Sequence, residues 1–434
     1  MTPVEIGIAG IVLLLAAVFA GVPVGLAMAS VGFIGILYQT NHIAAFQSLS
    51  STFFDRFSSY DLTAIPSFIL MGLIMFKAGA GRYLFSAANA WIGHFPGGLA
   101  IATIAACAGF SAISGSAIAA TVTIGAVALP EMLSRNYPRS LAAGSVAAGG
   151  TLDILIPPSV TLIIYSILVN ESITSLFIAG IVPGVTLALM FCITIFVVES
   201  WRRGKIVSDQ PRSSWGERFR SLSGIWDTAL LFIFAIGGMF AGVFTPNEAG
   251  AAGALGALIL GIIRGTLSWQ GLKEALGESA QTAAMVVFII FGAALFSTFL
   301  TLTRIPFTLA DMIAAQGWPD LLVLGVIIAI YVLGGMVMEI LPLIIVTVPM
   351  FAPIIQSLGY DLVWFGILII LLGQMGMITP PVGISAFVVA SLRPDIDLAT
   401  VFRGIAPFVL AIALLIVLLI AFPPLATFLP DAIR

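Results

Sequence analysis

Long apolar runs separated by short polar segments dominate this sequence of 434 residues. Only 9% of the residues are charged, whereas about a quarter are charged in an average soluble domain. So few charges cannot cover the surface of a chain of this length, and much of that surface must therefore face lipid. We predict an all-α polytopic membrane protein, because a helix satisfies its own backbone groups inside a bilayer. The formal net charge of -3 argues against a nucleic-acid partner.

The apolar runs predict both full spans and hairpins. A helix needs about 20 mostly apolar residues to cross a bilayer. Two apolar stretches, 97–133 and 319–356, have polar or glycine-rich centres, SAISGSA and GGMVMEI. We predict that each forms a re-entrant helical hairpin whose tip is buried in protein or faces water. The predicted full spans are 3–20, 22–40, 62–79, 139–169, 174–199, 224–243, 245–265, 281–302, 361–390 and 405–428.

Two of the predicted spans carry glycines and a Pro-Pro pair at mid-membrane depth. Their motifs are GGTLDILIPPS (149–159) and GQMGMITPPVG (373–383). Proline lacks a backbone donor and clashes with the preceding turn, so neither helix can run straight. We predict two broken helices, with each Pro-Pro pair at the start of the second half-helix, where a missing N–H costs least.

Basic residues predict the orientation in the membrane. Six of the 17 Lys and Arg residues lie within residues 201–220, which we interpret as a central cytoplasmic loop under the positive-inside rule. Counting the crossings back from this loop places the N-terminus in the periplasm.

The two regions that each contain a predicted hairpin and a broken helix match each other at one fixed offset in the sequence. An odd number of crossings separates equivalent points, so we predict inverted copies, with the first hairpin open to the cytoplasm and the second to the outside. Inverted repeats with broken helices near the midplane are typical of secondary transporters. The matching residues, each pair 223 positions apart, are Pro96 and Pro319, Leu99 and Leu322, Pro130 and Pro353, Tyr137 and Tyr360, Pro157 and Pro380, and Pro158 and Pro381.

This pattern divides the chain into scaffold and transport parts. The moderately polar segments around 80–95, 268–280 and 305–316 are interpreted as interfacial arms, with plain loops as the alternative. The predicted parts are an N-terminal scaffold with an arm (1–96), a first transport-domain repeat (97–169), a central scaffold with the cytoplasmic loop (170–318), a second transport-domain repeat (319–390) and a C-terminal scaffold span (391–434).

Five segments, in this order and spacing, resemble one transporter family. They are GFSAISGSAIAATVTIG (109–125), AGGTLDILIPPSVTLIIYS (148–166), GVFTPNEAGAAGA (242–254), GGMVMEILPLIIVTVPMFAPIIQSLGYDLVWFGIL (334–368) and MGMITPPVG (375–383). The chain resembles the large membrane (permease) subunit of tripartite ATP-independent periplasmic (TRAP) transporters. Two positions depart from the resemblance, which predicts glycine where Asp153 stands and asparagine where Ser385 stands.

The resemblance implies a function, partners and a location. It implies an elevator-type importer of an organic anion, such as a C4-dicarboxylate or a sugar acid like sialic acid, in the bacterial inner membrane. It further implies sodium coupling instead of ATP, a small four-helix membrane subunit and a periplasmic substrate-binding protein. The sequence contains no phosphate-binding loop motif for ATP.

Three other functions fit the sequence less well. The alternative is a self-sufficient dicarboxylate or cation carrier of related architecture. An intramembrane enzyme is disfavoured because Ser114 and Ser116 have no His or Lys at the same depth. A channel is disfavoured by the inverted hairpins, which indicate alternating access.

Helix breaks expose hard oxygen ligands and half-helix N-termini at one depth. The alternative for single Ser and Gly residues is helix packing, and for Asp153 it is a role as a water-facing residue. For Glu248 in TPNEAG we predict helix N-capping. The predicted sodium ligands are Ser111, Ser114, Gly115, Gly149, Gly150 and Thr151 at the first break, and Gly334, Gly335, Met336, Glu339, Gly376 and Thr379 at the second. The predicted substrate contacts are Ser116, Asp153, Pro157, Thr379 and Pro380.

Overall fold

The computed structural model describes residues 2–201 and 212–433, so part of the predicted cytoplasmic loop, 202–211, lies outside the described residues. Within the described ranges the secondary structure is helical, without strands, which confirms the predicted all-α class. The N-terminal helices are α1 (Pro3–Phe19), α2 (Val24–Gln39), α3 (His42–Phe57), α4 (Ala64–Lys77) and α5 (Ala80–Ile92).

The first predicted hairpin and broken helix form four helices. They are α6 (Gly98–Ser114), α7 (Ala117–Ser134), α8 (Arg139–Thr151) and α9 (Val160–Val169). The central region follows, and it comprises α10 (Ile173–Trp201), α11 (Trp215–Leu222), α12 (Trp226–Phe232), α13 (Gly238–Phe240), α14 (Pro246–Ile263), α15 (Trp269–Thr303) and α16 (Ile305–Gln316).

The second hairpin and broken helix have the same helix order as the first. They comprise α17 (Asp320–Gly335), α18 (Ile340–Ser357), α19 (Leu362–Ile378) and α20 (Ile384–Leu392). The chain then continues through α21 (Leu398–Ala421) and α22 (Pro424–Ile433).

Helix boundaries repeat at the offset found in the sequence. Both ends of α18 lie 223 residues after the corresponding ends of α7, and α19 begins 223 residues after α8. The turns between these helices also correspond, since Asn136 and its equivalent Gly359 both have a positive φ, 58° and 79°.

Both predicted broken helices are interrupted where the glycines and prolines predict. After α8 a short 3-10 turn, Leu152–Ile154, precedes α9, and a non-helical segment separates α19 from α20. The prediction that the Pro-Pro pairs start the second half-helices is wrong. Ser159 and Gly383 occupy the N-cap positions instead, so both pairs lie in the linkers before the caps. A residue that precedes proline favours extended backbone, which suits a linker.

Seven helices in the described ranges are long and apolar enough to cross a membrane, or eight if the bent pair Trp215–Leu222 and Trp226–Phe240 counts as one span. Two of the seven, α7 and α18, are second arms of the predicted hairpins. The segment 268–280 is helical and not a plain loop, because α15 begins at Trp269 and runs on as one helix of 35 residues. The seven are Tyr60–Lys77, Ala117–Ser134, Ile173–Trp201, Pro246–Ile263, Trp269–Thr303, Ile340–Ser357 and Leu398–Ala421.

The helix α10 illustrates how this chain meets lipid. Val185, Leu189 and Ile193 follow a four-residue spacing and are exposed, whereas Leu187 and Phe191 on the other face are fully buried. An apolar stripe on each face is expected of a helix that packs on protein on one side and faces lipid on the other.

The predicted capping role of Glu248 is confirmed. The Thr245 side chain accepts a bond from the Glu248 amide, and the Glu248 carboxylate accepts one from the Thr245 amide at 2.8 Å. This capping box satisfies two donors that α14 would otherwise leave unpaired.

Candidate functional site

A cavity of about 600 Å³ lies where the two hairpin tips meet α4 and α15. A volume of this size suits a small organic molecule. Both hairpins, the first broken helix and Met377 of the second broken helix line it, although they are far apart in the chain. Its polar lining residues are Ser114, Ser116, Asp153, Thr161, Glu278, Gln281, Thr282 and Glu339.

The first hairpin tip, residues 114–116, reverses the chain between α6 and α7. Gly115 has a φ of 61°, a left-handed conformation that glycine adopts at little cost. Ser116 then caps α7, because its hydroxyl accepts a bond from the Ala119 amide at 3.3 Å. The three tip residues all line the cavity.

Asp153 in the first helix break is held by this tip. Its side chain lines the cavity but is only 1% exposed. The Ser114 hydroxyl donates a hydrogen bond to the Asp153 carboxylate, and the Gly115 backbone also interacts with it. The structure thus joins Asp153 to two of the predicted sodium ligands.

The second hairpin tip, residues 336–339, brings another carboxylate to the cavity. Glu339 is the N-cap residue of α18, at the position equivalent to Ser116, and its side chain makes no capping bond. Gly335 packs on the backbone of Gly376 in α19, where a Cβ added to Gly376 would lie 2.5 Å from the Gly335 carbonyl carbon. The structure therefore brings the second predicted tip and break into contact.

One hydrogen bond joins the two broken helices at equivalent positions. The Gln374 amide nitrogen donates to the Thr151 carbonyl, and the two residues are 223 positions apart. The Gln374 side-chain oxygen is buried and has no hydrogen-bond partner among the described residues. A buried amide oxygen of this kind is a suitable ligand for a small hard cation. Gln374 was not among the predicted site residues, although it belongs to the motif GQMGMITPPVG at the second break.

Other predicted sodium ligands lie beside the cavity instead of lining it. The hydroxyls of Ser111 and Thr151 donate to the carbonyls of Cys107 and Ala148, each at 2.7 Å. A hydroxyl that donates one bond keeps lone pairs that can bind a cation. A Cβ added to Gly149 would lie 2.9 Å from the Cys107 sulfur, so close helix packing also accounts for this glycine.

The cavity lining leaves out the remaining predicted residues. Thr379 donates its hydroxyl proton to the Met375 carbonyl within its own helix end. A Cβ added to Gly150 would clash with the Thr121 hydroxyl, which indicates packing of α8 against α7. The predicted site residues that do not line the cavity are Ser111, Gly149, Gly150, Thr151, Pro157, Gly334, Gly335, Met336, Gly376, Thr379 and Pro380.

The scaffold side of the cavity was missed by the sequence analysis. Glu278, Gln281 and Thr282 lie on α15. Glu278 falls within the segment 268–280 that was interpreted as an interfacial arm, and the other two begin the predicted span 281–302. Lys77 at the end of α4 lies 2.9 Å from the carboxylates of both Glu274 and Glu278. This ion pair ties α4 to α15 beside the cavity.

The solved structure of the Alcanivorax borkumensis YdaH transporter is similar in fold, with a TM-score of 0.58, 14% identity, and coverage of 83% of this chain and 86% of that one. The large permease protein DctM of a C4-dicarboxylate TRAP transporter from Pseudomonas aeruginosa is 35% identical over 390 residues, 89% of this chain and 90% of that protein. The large permease protein SiaM of a sialic acid TRAP transporter from Vibrio cholerae is 34% identical over 421 residues, 95% of this chain and 96% of that protein. An ectoine TRAP transporter large permease protein, TeaC of Halomonas elongata, is 34% identical over 420 residues, 95% of this chain and 96% of that protein.

These relatives are transporter subunits and not enzymes. The family model described as the tripartite ATP-independent periplasmic transporter, DctM component, matches residues 11–425. With the apolar helices and the cavity between the hairpin tips, this match shows that the chain belongs to the family of TRAP transporter large permease subunits.

Proposed function

We propose that this chain is the conducting subunit of a sodium-coupled importer of an organic carboxylate in the bacterial inner membrane, with its N-terminus in the periplasm. A periplasmic binding protein delivers the solute, and a small membrane subunit supports the permease. The observation that carries the proposal is the cavity in which the tips of both hairpins meet α4 and α15. Related permeases belong to transporters of C4-dicarboxylates, sialic acid and ectoine.

The cavity supplies the chemistry that such a carrier needs. The first residues of α7 and α18 line it, and helix N-termini carry partial positive charge that favours a carboxylate. Hydroxyl and carbonyl oxygens near the two breaks are suitable sodium ligands, and the buried Gln374 oxygen adds one more. Cotransported sodium would neutralise part of the charge that the solute brings.

The position of the cavity between the hairpin tips and the scaffold helices supports an elevator movement. The two repeats would move as the transport domain, in inverted orientations, against a scaffold that contains α4 and α15. In this movement the first hairpin tip would slide past α4. The two are in close contact, since a Cβ added to Gly72 of α4 would lie 2.4 Å from the Ser114 carbonyl oxygen. A small residue at this contact permits the tip to pass.

Uptake by proteoliposomes tests the coupling. With the permease, the small subunit and the loaded binding protein present, we expect solute uptake to rise with an inward sodium gradient and to be unaffected by ATP. Full uptake with choline in place of sodium would contradict sodium coupling. Full uptake without the binding protein and small subunit would instead favour a self-sufficient carrier.

A further inference from the structure

The charges that line the cavity are all of one sign. Asp153, Glu278 and Glu339 contribute carboxylates, and the lining formed by the described residues includes no Lys, Arg or His. Glu278 has a basic partner outside the lining, Lys77 at 2.9 Å, which it shares with Glu274. The carboxylates of Asp153 and Glu339 have no basic partner in any ion pair between described residues.

Asp153 needs a positive partner more than an exposed acid would. It is 1% exposed, and its contacts are the Ser114 hydroxyl and the Gly115 backbone. Burial of a carboxylate is unfavourable unless the charge is paired as well as hydrogen-bonded. Asp153 lines the cavity, so a cation bound in the cavity would compensate its carboxylate.

The same cavity also presents groups that suit an anion. The first residues of three helices line it: Ala117 of α7, Val160 of α9 and Ile340 of α18. Each helix has ten or more residues, and its N-terminus has the partial positive charge of the helix dipole. The cavity therefore offers acidic side chains and helix N-termini together.

We propose that the transported solute is a zwitterion, a small carboxylate that also carries a cationic nitrogen held by Asp153 and Glu339. This inference rests on the proposed function and specifies its substrate class. The carboxylate of the solute would lie at the helix N-termini, and its nitrogen would compensate the two acids. A solute with carboxylates alone would bring only further negative charge to these two acids.

Binding of matched probes to the full-length chain in lipid nanodiscs tests this assignment. The probes are the zwitterions 4-aminobutanoate and 6-aminohexanoate, the anions butanoate and hexanoate, and the cation 1-aminobutane, each titrated at constant sodium with the midpoint of thermal unfolding as the readout. We expect at least one zwitterion to raise the midpoint more than its matched anion and the amine do. The Asp153→Asn variant should bind that zwitterion at least tenfold more weakly and bind the anions as well as the wild type does.

The control variant is Asp55→Asn, which removes an exposed acid on α3 and should leave every titration unchanged. A wild-type protein stabilised best by the anions, or by none of the probes, would overturn the inference. It would also be overturned if Asp153→Asn abolished stabilisation by sodium alone and left zwitterion binding intact, because Asp153 would then be a sodium ligand. Failure of sodium-driven uptake with intact zwitterion binding would contradict the proposed function and not this inference.

Discussion

At the scale of single residues, the contact between Ser114 and Asp153 organises the site. The Ser114 hydroxyl donates to a carboxylate that is buried and faces the cavity. Loss of a donor to a buried charged group costs about 1–3 kcal/mol, because the charge keeps its desolvation penalty. The serine and the acid should therefore act as a pair in stability measurements.

A double-mutant cycle measures that pairing. We expect Ser114→Ala to lower the midpoint of thermal unfolding in the wild type and to have little effect in the Asp153→Gly background, where no carboxylate remains to be satisfied. Residues in direct contact commonly show interaction energies of about 0.5–3 kcal/mol in such cycles. If Ser114→Ala lowered the unfolding midpoint equally in the wild type and in Asp153→Gly, Ser114 would contribute to stability only through helix packing.

At the scale of helices, close backbone contact between α4 and the first hairpin tip decides the geometry of the cavity. Gly72 lies against the Ser114 carbonyl, where an added Cβ would be 2.4 Å from the oxygen. These neighbouring atoms are backbone atoms, so they cannot move aside as the end of a flexible side chain can. The contact explains why a glycine lies in the middle of an otherwise bulky apolar helix.

The Gly72→Ala variant tests this contact. Alanine favours a helix by about 1 kcal/mol over glycine, yet we expect this variant to lose transport and to unfold at a lower temperature, because the clash outweighs the propensity. Gly277→Ala in α15 is the matched control, since an added Cβ there meets no atom within 4 Å. Transport at the wild-type rate in Gly72→Ala would show that the first hairpin tip does not need to come this close to α4.

At the scale of the whole molecule, the two repeats share the boundaries of α7 and α18 and the start of α8 and α19, and they contact each other at equivalent residues. The bond between Gln374 and Thr151 joins positions 223 apart, as the equivalent helices α7 and α18 are. Inverted orientation in the membrane, as we propose, would place the outer ends of these two helices on opposite sides. Ser134 and Ser357 are equivalent, exposed residues at those two ends.

Cysteine labelling from each side measures this orientation. Introduced singly into a chain with Cys192→Ala, Ser134→Cys should react with an impermeant maleimide only from the cytoplasm and Ser357→Cys only from the periplasm. The remaining native thiol, Cys107, is fully buried and should give little background. Reaction of both positions from the same side would contradict inverted repeats.

The sequence alone determined the features that depend on local chain chemistry. Apolar length predicted helical membrane segments, and the glycines and prolines at 149–159 and 373–383 located the breaks, because proline cannot continue a helix. The offset of 223 residues was visible because prolines and tyrosines recur at equal spacing, and the capping role of Glu248 followed from a short motif.

Only the tertiary structure decided which side chains share the cavity. Of the predicted site residues, Ser114, Gly115, Ser116, Asp153 and Glu339 line it. The contribution of α15 was missed, because it depends on how helices that are distant in sequence pack against each other. Packing also buried the Gln374 oxygen beside the other broken helix. A local pattern shows that a hydroxyl or carboxylate is present, but its partners and burial are set by chain segments hundreds of residues away.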